Sequence, residues 1–558
     1  MLKKILSLVM AMMMVVSVAA CGREGEDNVE IDVNKTQLYV ANYDSGFGSV
    51  WLDKVMERFE EDYKDYEFEP GTGKKGVQFV LPKKDKTTYG KALLNDISDS
   101  TYDVFFTEGV YYYNFVSENK LLDITDIVTE PLTAYGETES IEDKLGEDHK
   151  SFYKVNGEKY YALPHFEATT GIIYDIDLFE TNEYFFAAEK DGKGNYVFTN
   201  KASGEELSPG PDGEPNTDDD GLPATYDEFF ALCDKMKSEG VTPICWNGLA
   251  VEYLTDFAKS LAADYDGKAE TMLNFTFDGA ANSIVTGFDS DGNPILSSRE
   301  IKPSNAYLLA QQAGKYYGLS FVNRLISGKY FATGSFSGAN SHTDNQGKYM
   351  RSKLDSTTQT IAMLIDGTWW ENEATNAQTY DSLTREFGTR AKKENRHFGF
   401  MPLPKATSDQ VGDPWTVYEL FQSASFINAN IPQNRIKAAK MFLQYCHTQK
   451  SLVEFSVTTN TMKAFNYSLD NDKDKLSNWG KSMYSLHSNA QWVTPYAQNE
   501  MYLHSAEIKW ESQIGDTPYN NPARDFYDYS IKAKDWFEGM KTVNSASYWQ
   551  SFKNYFGE

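Results

Sequence analysis

Two adjacent tryptophans, Trp369 and Trp370, stand directly after the apolar run Ile361–Ile365 and its Asp366-Gly367 turn. A run of this kind suits a strand buried on both faces, and in an open α/β sheet ligands bind beyond the carboxyl ends of the strands. An indole placed there is a platform for a ligand with an apolar face and a polar rim. A sugar ring fits, because its axial C–H groups can lie on the indole while its hydroxyls find hydrogen bonds. The same pattern also describes core residues that begin a helix, since buried aromatics outnumber binding ones. Two other strand ends carry comparable side chains. Tyr43, Asp44 and Phe47 lie in a glycine-rich turn after Gln37–Ala41, and Trp246 and Asn247 close the strand-like run that begins at Val241. Core packing is again the alternative for Trp246.

A second chemistry is suggested by residues 191–221, which hold eight carboxylates and two lysines among Gly-Pro clusters. Asp212, Glu214, Asn216, Asp218 and Asp220 alternate as the oxygen ligands of a calcium loop do. Thr217 stands where an EF-hand needs glycine and Pro223 where it needs glutamate, so a solvated acidic loop is the alternative. Other chemistries lack their residues. Cys233, Cys245 and Cys446 form no C-x-x-C pair, and the seven histidines include no H-E-x-x-H. A Cys233–Cys245 disulfide is open, beside buried free thiols. Gly334–Gly338 has Phe336 where a nucleophile elbow needs serine. Gly71–Gly76 matches the dinucleotide fingerprint by count only, since it leads into a strand-like run and not a helix.

The elements that must position these residues alternate between two periods. Gln37–Ala41 reads as a strand, and Trp51, Leu52, Val55, Met56 and Phe59 follow at helical spacing, which opens a βαβ unit. Tyr102–Phe106 is a buried strand followed by the consecutive tyrosines Tyr111–Tyr113. Lys159–Tyr174 runs strand, Pro164, polar break, strand. Thr225 and Glu228 form a capping box before a helix that Gly240 ends. Ala306–Ile326 and Arg435–His447 are helical by pattern, and Asn466–Glu558 is helix-like with scattered tryptophans.

At 558 residues the chain should form at least two domains, and its formal charge of −28 argues against nucleic acid as a partner. Met1–Ala20 has Lys3 and Lys4 before the apolar run Ile5–Val16, as a secretory signal does. Val18-Ala19-Ala20-Cys21-Gly22 resembles the bacterial lipobox, which predicts lipidation of Cys21 and an anchor at the outer face of the cell membrane. Gly22–Asn34 reads as an acidic tether.

Several pieces, in this order, resemble the extracellular solute-binding proteins of sugar ABC transporters, family 1. They are Asp103-Val-Phe-Phe106, Asn119–Thr125, Tyr161–Leu178, Pro223–Glu228, Ala362-Met363…Gly367-x-Trp369, His397–Pro404 and Lys437–Leu443. The resemblance implies an α/β chain with a two-lobed type II periplasmic-binding-protein fold and a hinge between lobes. Its implied organisation is a signal peptide at 1–20, a lipid-anchored linker at 21–35, a first lobe from 36–165 with 415–465, and a second lobe from 166–410 with 466–558. It implies sugar stacking on Trp369, with Trp370 facing either way, and a first hinge at 165–169 that carries Glu167. Tyr111, Trp415 near the second hinge, and Trp492 complete the expected contacts. The implied function is capture of a carbohydrate, of oligosaccharide size, by a monomer that closes about its hinge and delivers the ligand to a membrane permease. No cofactor is required, although a structural Ca2+ is an option in the acidic insertion. Two other readings stay open: a secreted glycoside hydrolase, which needs two carboxyl groups at a fixed separation, and a peptide-binding lipoprotein on the same fold.

Overall fold

The computed structural model describes residues 30–557 apart from 45, 81–86, 421 and 496–499, so the expected signal segment and Cys21 lie outside the described residues. Nine strands build two sheets: β1 (Thr36–Asn42), β2 (Val77–Val80), β3 (Val104–Thr107), β4 (Ala162–Pro164), β5 (Thr170–Asp175), β6 (Thr242–Trp246), β7 (Ile361–Gly367), β8 (Phe398–Met401) and β9 (Ala424–Ile427). The first sheet has the order β2-β1-β3-β9-β4, with β1 parallel to both neighbours and β9 antiparallel to both of its own. The second has the order β6-β7-β5-β8, in which β7 runs parallel to β6 and antiparallel to β5. The chain is α/β and two-lobed, with one of these two larger sheets in each lobe and short two-stranded sheets around them.

β7 shows why its sequence is almost wholly apolar. Every residue from Ile361 to Gly367 is buried. Met363 and Ile365 join a core with Trp246 and Phe257, while Leu364 points into the opposite core with Phe398 and Trp370. A sheet covered on both faces favours apolar side chains along a central strand, and the one buried carboxyl, Asp366, stands at the carboxyl end of β7. In the first lobe the helix Val50–Asp62 turns Trp51, Leu52, Val55, Met56 and Phe59 inward, as their spacing predicts. The helix Tyr226–Ser238 begins where the capping box places it, with the Thr225 hydroxyl accepting from the Glu228 amide. The stretch expected as one helix over 306–326 is instead a 3-10 turn, Pro303–Gln311, and an α-helix, Ala313–Ser327. Gln312 is extended between them (φ −60, ψ 138), and its side-chain oxygen accepts from Lys315 Nζ at 2.6 Å and Asn274 Nδ2 at 2.8 Å. These bonds hold the break that the apolar periodicity conceals.

The chain passes between the lobes three times. Residues 165–169 lead from β4 to β5, residues 402–423 lead from β8 to β9, and the chain leaves the first lobe again after Phe465 to pack Trp479 on Trp370. Thr416–Tyr418 on the second passage pairs in parallel with Gln491–Val493, which follows the third. Beneath this pair runs the helical stretch Glu252–Thr276, broken at Gly267 (φ 72, ψ 167), where Asp264 accepts from Lys405 Nζ at 2.9 Å and from the Thr416 amide at 3.0 Å. The C-terminal region belongs to the second lobe, where Trp536 and Trp549 are buried.

Candidate functional site

β1 and β3 of the first sheet end facing β6 and β7 of the second, so the loops that follow them meet. After β1, the Asp44 carbonyl accepts from the Phe47 amide at 2.7 Å and its carboxylate accepts from Gly48, closing a tight turn. Gly46 in that turn has φ +81 and lies against the other lobe: a Cβ there would come within 2.8 Å of both Trp369 Cδ1 and Glu373 Cγ. Glycine is required twice over, by backbone sign and by contact. Tyr43 stacks on Tyr89 with centroids 4.2 Å apart, and Tyr253 meets Trp369 edge-on at 5.7 Å.

Carboxyl groups collect beside these rings. Gln346 Nε2 donates to Asp366 Oδ2 at 3.1 Å and to Glu373 Oε2 at 2.8 Å, and His342 Nε2 lies 3.5 Å from Glu373 Oε1. Burial pushes Asp366 up to about 7. Burial, and then the Asp366 charge, holds Glu373 well above the usual carboxylate range, with smaller contributions from Asp44 and Glu108 of the first lobe. Burial and the charge of Glu108 push Tyr43 up to about 12. A carboxyl group that retains its proton near neutral pH can donate as well as accept, which matches the dual character of a hydroxyl. Aromatic rings and such carboxyl groups, contributed by both lobes, meet directly here, and groups of this chemistry match a neutral polyhydroxylated ring.

A second set of polar residues gathers where the three passages meet. Glu167 Oε2 lies 2.8 Å from His487 Nδ1, and His149 Nε2 lies 3.5 Å from Glu419 Oε2. Burial opposes the charge on His149, but Glu419 prevails and raises the imidazole above its usual value. For His487 burial is again the opposing influence, overcome by Glu167. Burial raises Glu419 as well. Lys268 of the second lobe bridges to Asp148 of the first at 2.6 Å. Together with Trp492, the residues Asp148, His149, Glu167, Lys268 and His487 line a polar cavity of about 390 Å3.

The expected contacts therefore divide. Tyr43, Asp44 and Trp369 come together between the lobes, where Trp369 is 3% exposed beneath Gly46 and Tyr253. Glu167 and Trp492 share the cavity at the passages. Tyr111 is half-exposed elsewhere in the groove between lobes, with Lys91 Nζ 4.3 Å from its ring centroid and Tyr502 across a pocket of about 300 Å3. Four aromatic expectations are corrected. Phe47 packs on Phe166 at 4.5 Å, Trp246 is buried against Phe331 and Phe336, and Trp370 is buried edge-on against Phe398 and Trp479. Trp415 stacks on Phe400 beside the acidic insertion and not between the lobes. Phe47, Trp246 and Trp370 thus complete hydrophobic cores, and Trp415 packs half-buried against Phe400. Asn247 is buried; its Oδ1 accepts from the Leu249 amide at 3.0 Å, and its Nδ2 has no partner among the described residues.

Two of the alternating carboxylates of the insertion, Asp212 and Asp220, are engaged with their own loop. Asp212 accepts from the Glu214 amide at 2.8 Å, and Asp220 accepts from the Asn216 amide at 2.8 Å and from Thr217. Among the described residues no group of three or more histidines, cysteines or carboxylates is arranged to hold a metal. Of Asp212, Glu214, Asn216, Asp218 and Asp220, the carboxylates of Asp212 and Asp220 thus accept from amides of their own loop, as a solvated acidic loop does. Sequence reasoning missed Tyr89, Glu108, Tyr253, His342, Gln346 and Glu373. Only Glu373 carried a signal, since it lies four residues after Trp369 and so shares its helical face.

No family model matches the sequence, nor does any curated protein. Among solved structures, a chitin oligosaccharide binding protein superposes with a TM-score of 0.53 over 91% of this chain and 98% of its own, at 14% identity. The shared feature is the fold, over nearly the whole length of both chains.

Proposed function

We propose that the protein captures an oligosaccharide between its two lobes and releases it unaltered. The observation that carries this reading is the set of rings and carboxyl groups, Tyr43 and Tyr89 from one lobe and Trp369, Asp366 and Glu373 from the other, on a fold shared with an oligosaccharide-binding protein. A ligand that touches both lobes binds the closed form more tightly than the open one, and that difference drives closure. The finer parts of the reading follow from the sequence. Cys21 is lipidated and tethers the protein outside the cell membrane, and the closed form presents its ligand to an ABC transporter permease. Similarity to a chitin oligosaccharide binding protein makes β-linked N-acetylglucosamine oligomers the first ligands to try, alongside cello- and malto-oligosaccharides. Ligand binding raises the melting temperature by mass action, so a thermal-shift panel confirmed by calorimetry tests capture. A sugar recovered intact supports binding, and shortened products would overturn it.

The second reading, a glycoside hydrolase, is favoured by one observation: Asp366 and Glu373 share the Gln346 amide, and both hold their protons more strongly than free carboxyls. Product analysis in the same experiment separates the two.

A further inference from the structure

Beyond Trp369, on the rim of the second lobe, two aromatic rings lie flat on one another at the surface. Phe336 and Tyr527 stack with centroids 4.0 Å apart and planes 1° from parallel, and Tyr527 is 52% exposed. Leu249 projects from a neighbouring loop, 54% exposed. The stack is rigidly mounted. Arg524, three residues before Tyr527, donates to the Phe336 carbonyl and to the Gly248 carbonyl, each at 2.7 Å. Gly248 lies so close to the second loop that a Cβ would meet the Ser335 carbonyl oxygen at 2.4 Å. Trp246 supports Phe336 from behind at 5.0 Å. In the same two loops, Asn247 Nδ2 and Ser335 Oγ are buried with no hydrogen-bond partner among the described residues.

Both loops lead back to the site between the lobes. One runs from Asn247 to Tyr253, which meets Trp369 edge-on. The other runs from Phe336 to His342, which faces Glu373. Six residues of chain span at most about 20 Å, so the exposed stack lies within reach of an oligosaccharide that starts on Trp369. An exposed apolar surface can serve as a ligand contact, and a ring already fixed by its neighbour loses little freedom when a ligand covers it.

We propose that Tyr527, backed by Phe336, is an outer subsite that receives a sugar ring at the distal end of an oligosaccharide whose other end lies at Trp369. This inference rests on the oligosaccharide reading above and adds to it a preference for longer chains. Tyr527 contributes the stacking face, and Leu249 flanks the path.

The test is calorimetry of the full chain, as Tyr527→Ala, Tyr527→Phe and Trp369→Ala beside the parent, against N-acetylglucosamine and cello-oligosaccharides from dimer to hexamer. Loss of one stacking ring weakens binding by about tenfold. The expected result is that Tyr527→Ala weakens the longest binder by about tenfold and leaves the shortest unchanged. Tyr527→Phe should match the parent, and Trp369→Ala should weaken every length. A Tyr527→Ala protein that binds every length as the parent does overturns the outer subsite and leaves oligosaccharide capture standing. Equal weakening at all lengths overturns it too, because the ring would then act on the inner site. If the parent binds none of these sugars, the capture reading itself falls and the subsite falls with it.

Discussion

Lys463 holds its ammonium inside the first lobe with no exposed surface, bonded to His165 Nδ1 at 2.6 Å and set 4.6 Å and 4.8 Å from the ring centroids of Trp51 and Phe455. Burial pushes Lys463 down to about 7 and holds His165 well below the usual imidazole value, so the bond joins a lysine donor to a neutral ring. The sign of the linkage follows. Between about 7 and 10.5 the unfolded chain binds this proton more strongly than the folded one, so the Lys463 contribution makes stability rise with pH across that window. A Lys463→Met protein lacks the titration, and its stability relative to the parent should decline by a few kcal/mol, in order of magnitude, as pH rises through the window. Denaturant titrations at several pH values would read the difference, and a constant offset would count against a buried charge. At the site between lobes, Trp369→Ala should lower ligand affinity by about 1–3 kcal/mol while the fold persists; collapse of the fold would make the ring structural. Single residues were legible in the sequence where a strand ended in a turn, as at Tyr43 and Trp369. Lys463 and Gln346 were not, because their partners are set by three-dimensional approach and not by spacing.

Among the elements, the turn after β1 is the one on which contact between the lobes depends. Gly46→Ala combines a backbone that disfavours a side chain with a collision against Trp369 and Glu373. Such a protein should fold, bind ligand more weakly, and show a larger radius of gyration in solution scattering; an unchanged radius would mean that the turn yields. The passages between lobes carry a pH dependence of their own. The folded His149 and His487 hold their protons more tightly than the 6.5 of a free imidazole, so what they add to stability is complete below 6.5 and is lost as pH rises through their higher folded values. Glu419, raised by burial, acts with the same sign. Lys463 acts with the opposite sign, so the comparison must be made between variants: His149→Gln with His487→Gln should flatten the fall in melting temperature above pH 6.5, and an unaltered slope would remove the pairs from the account. Strands such as β7 and the capped helix Tyr226–Ser238 were readable because burial on two faces and a capping box each leave a local signature. The break at Gln312 was not, since it is held by Lys315 and Asn274 from other positions in the fold.

For the whole molecule, ligand should convert a broader distribution of lobe separations into a narrower and shorter one. Spin labels placed one on each lobe, measured with and without a binding oligosaccharide, would show this; identical distributions would count against capture by closure. The two lobes are joined by three passages, and Thr416–Tyr418 of the second pairs with Gln491–Val493, which follows the third, above the helix Glu252–Thr276. A single strap would let one half twist, tilt and slide against the other. Segments laced edge to edge should leave one swinging direction, like a gate hung on several pins along one post. Every pair of probes spanning the gap should therefore report the same rotation, and a ligand too bulky for that single arc has no other way in.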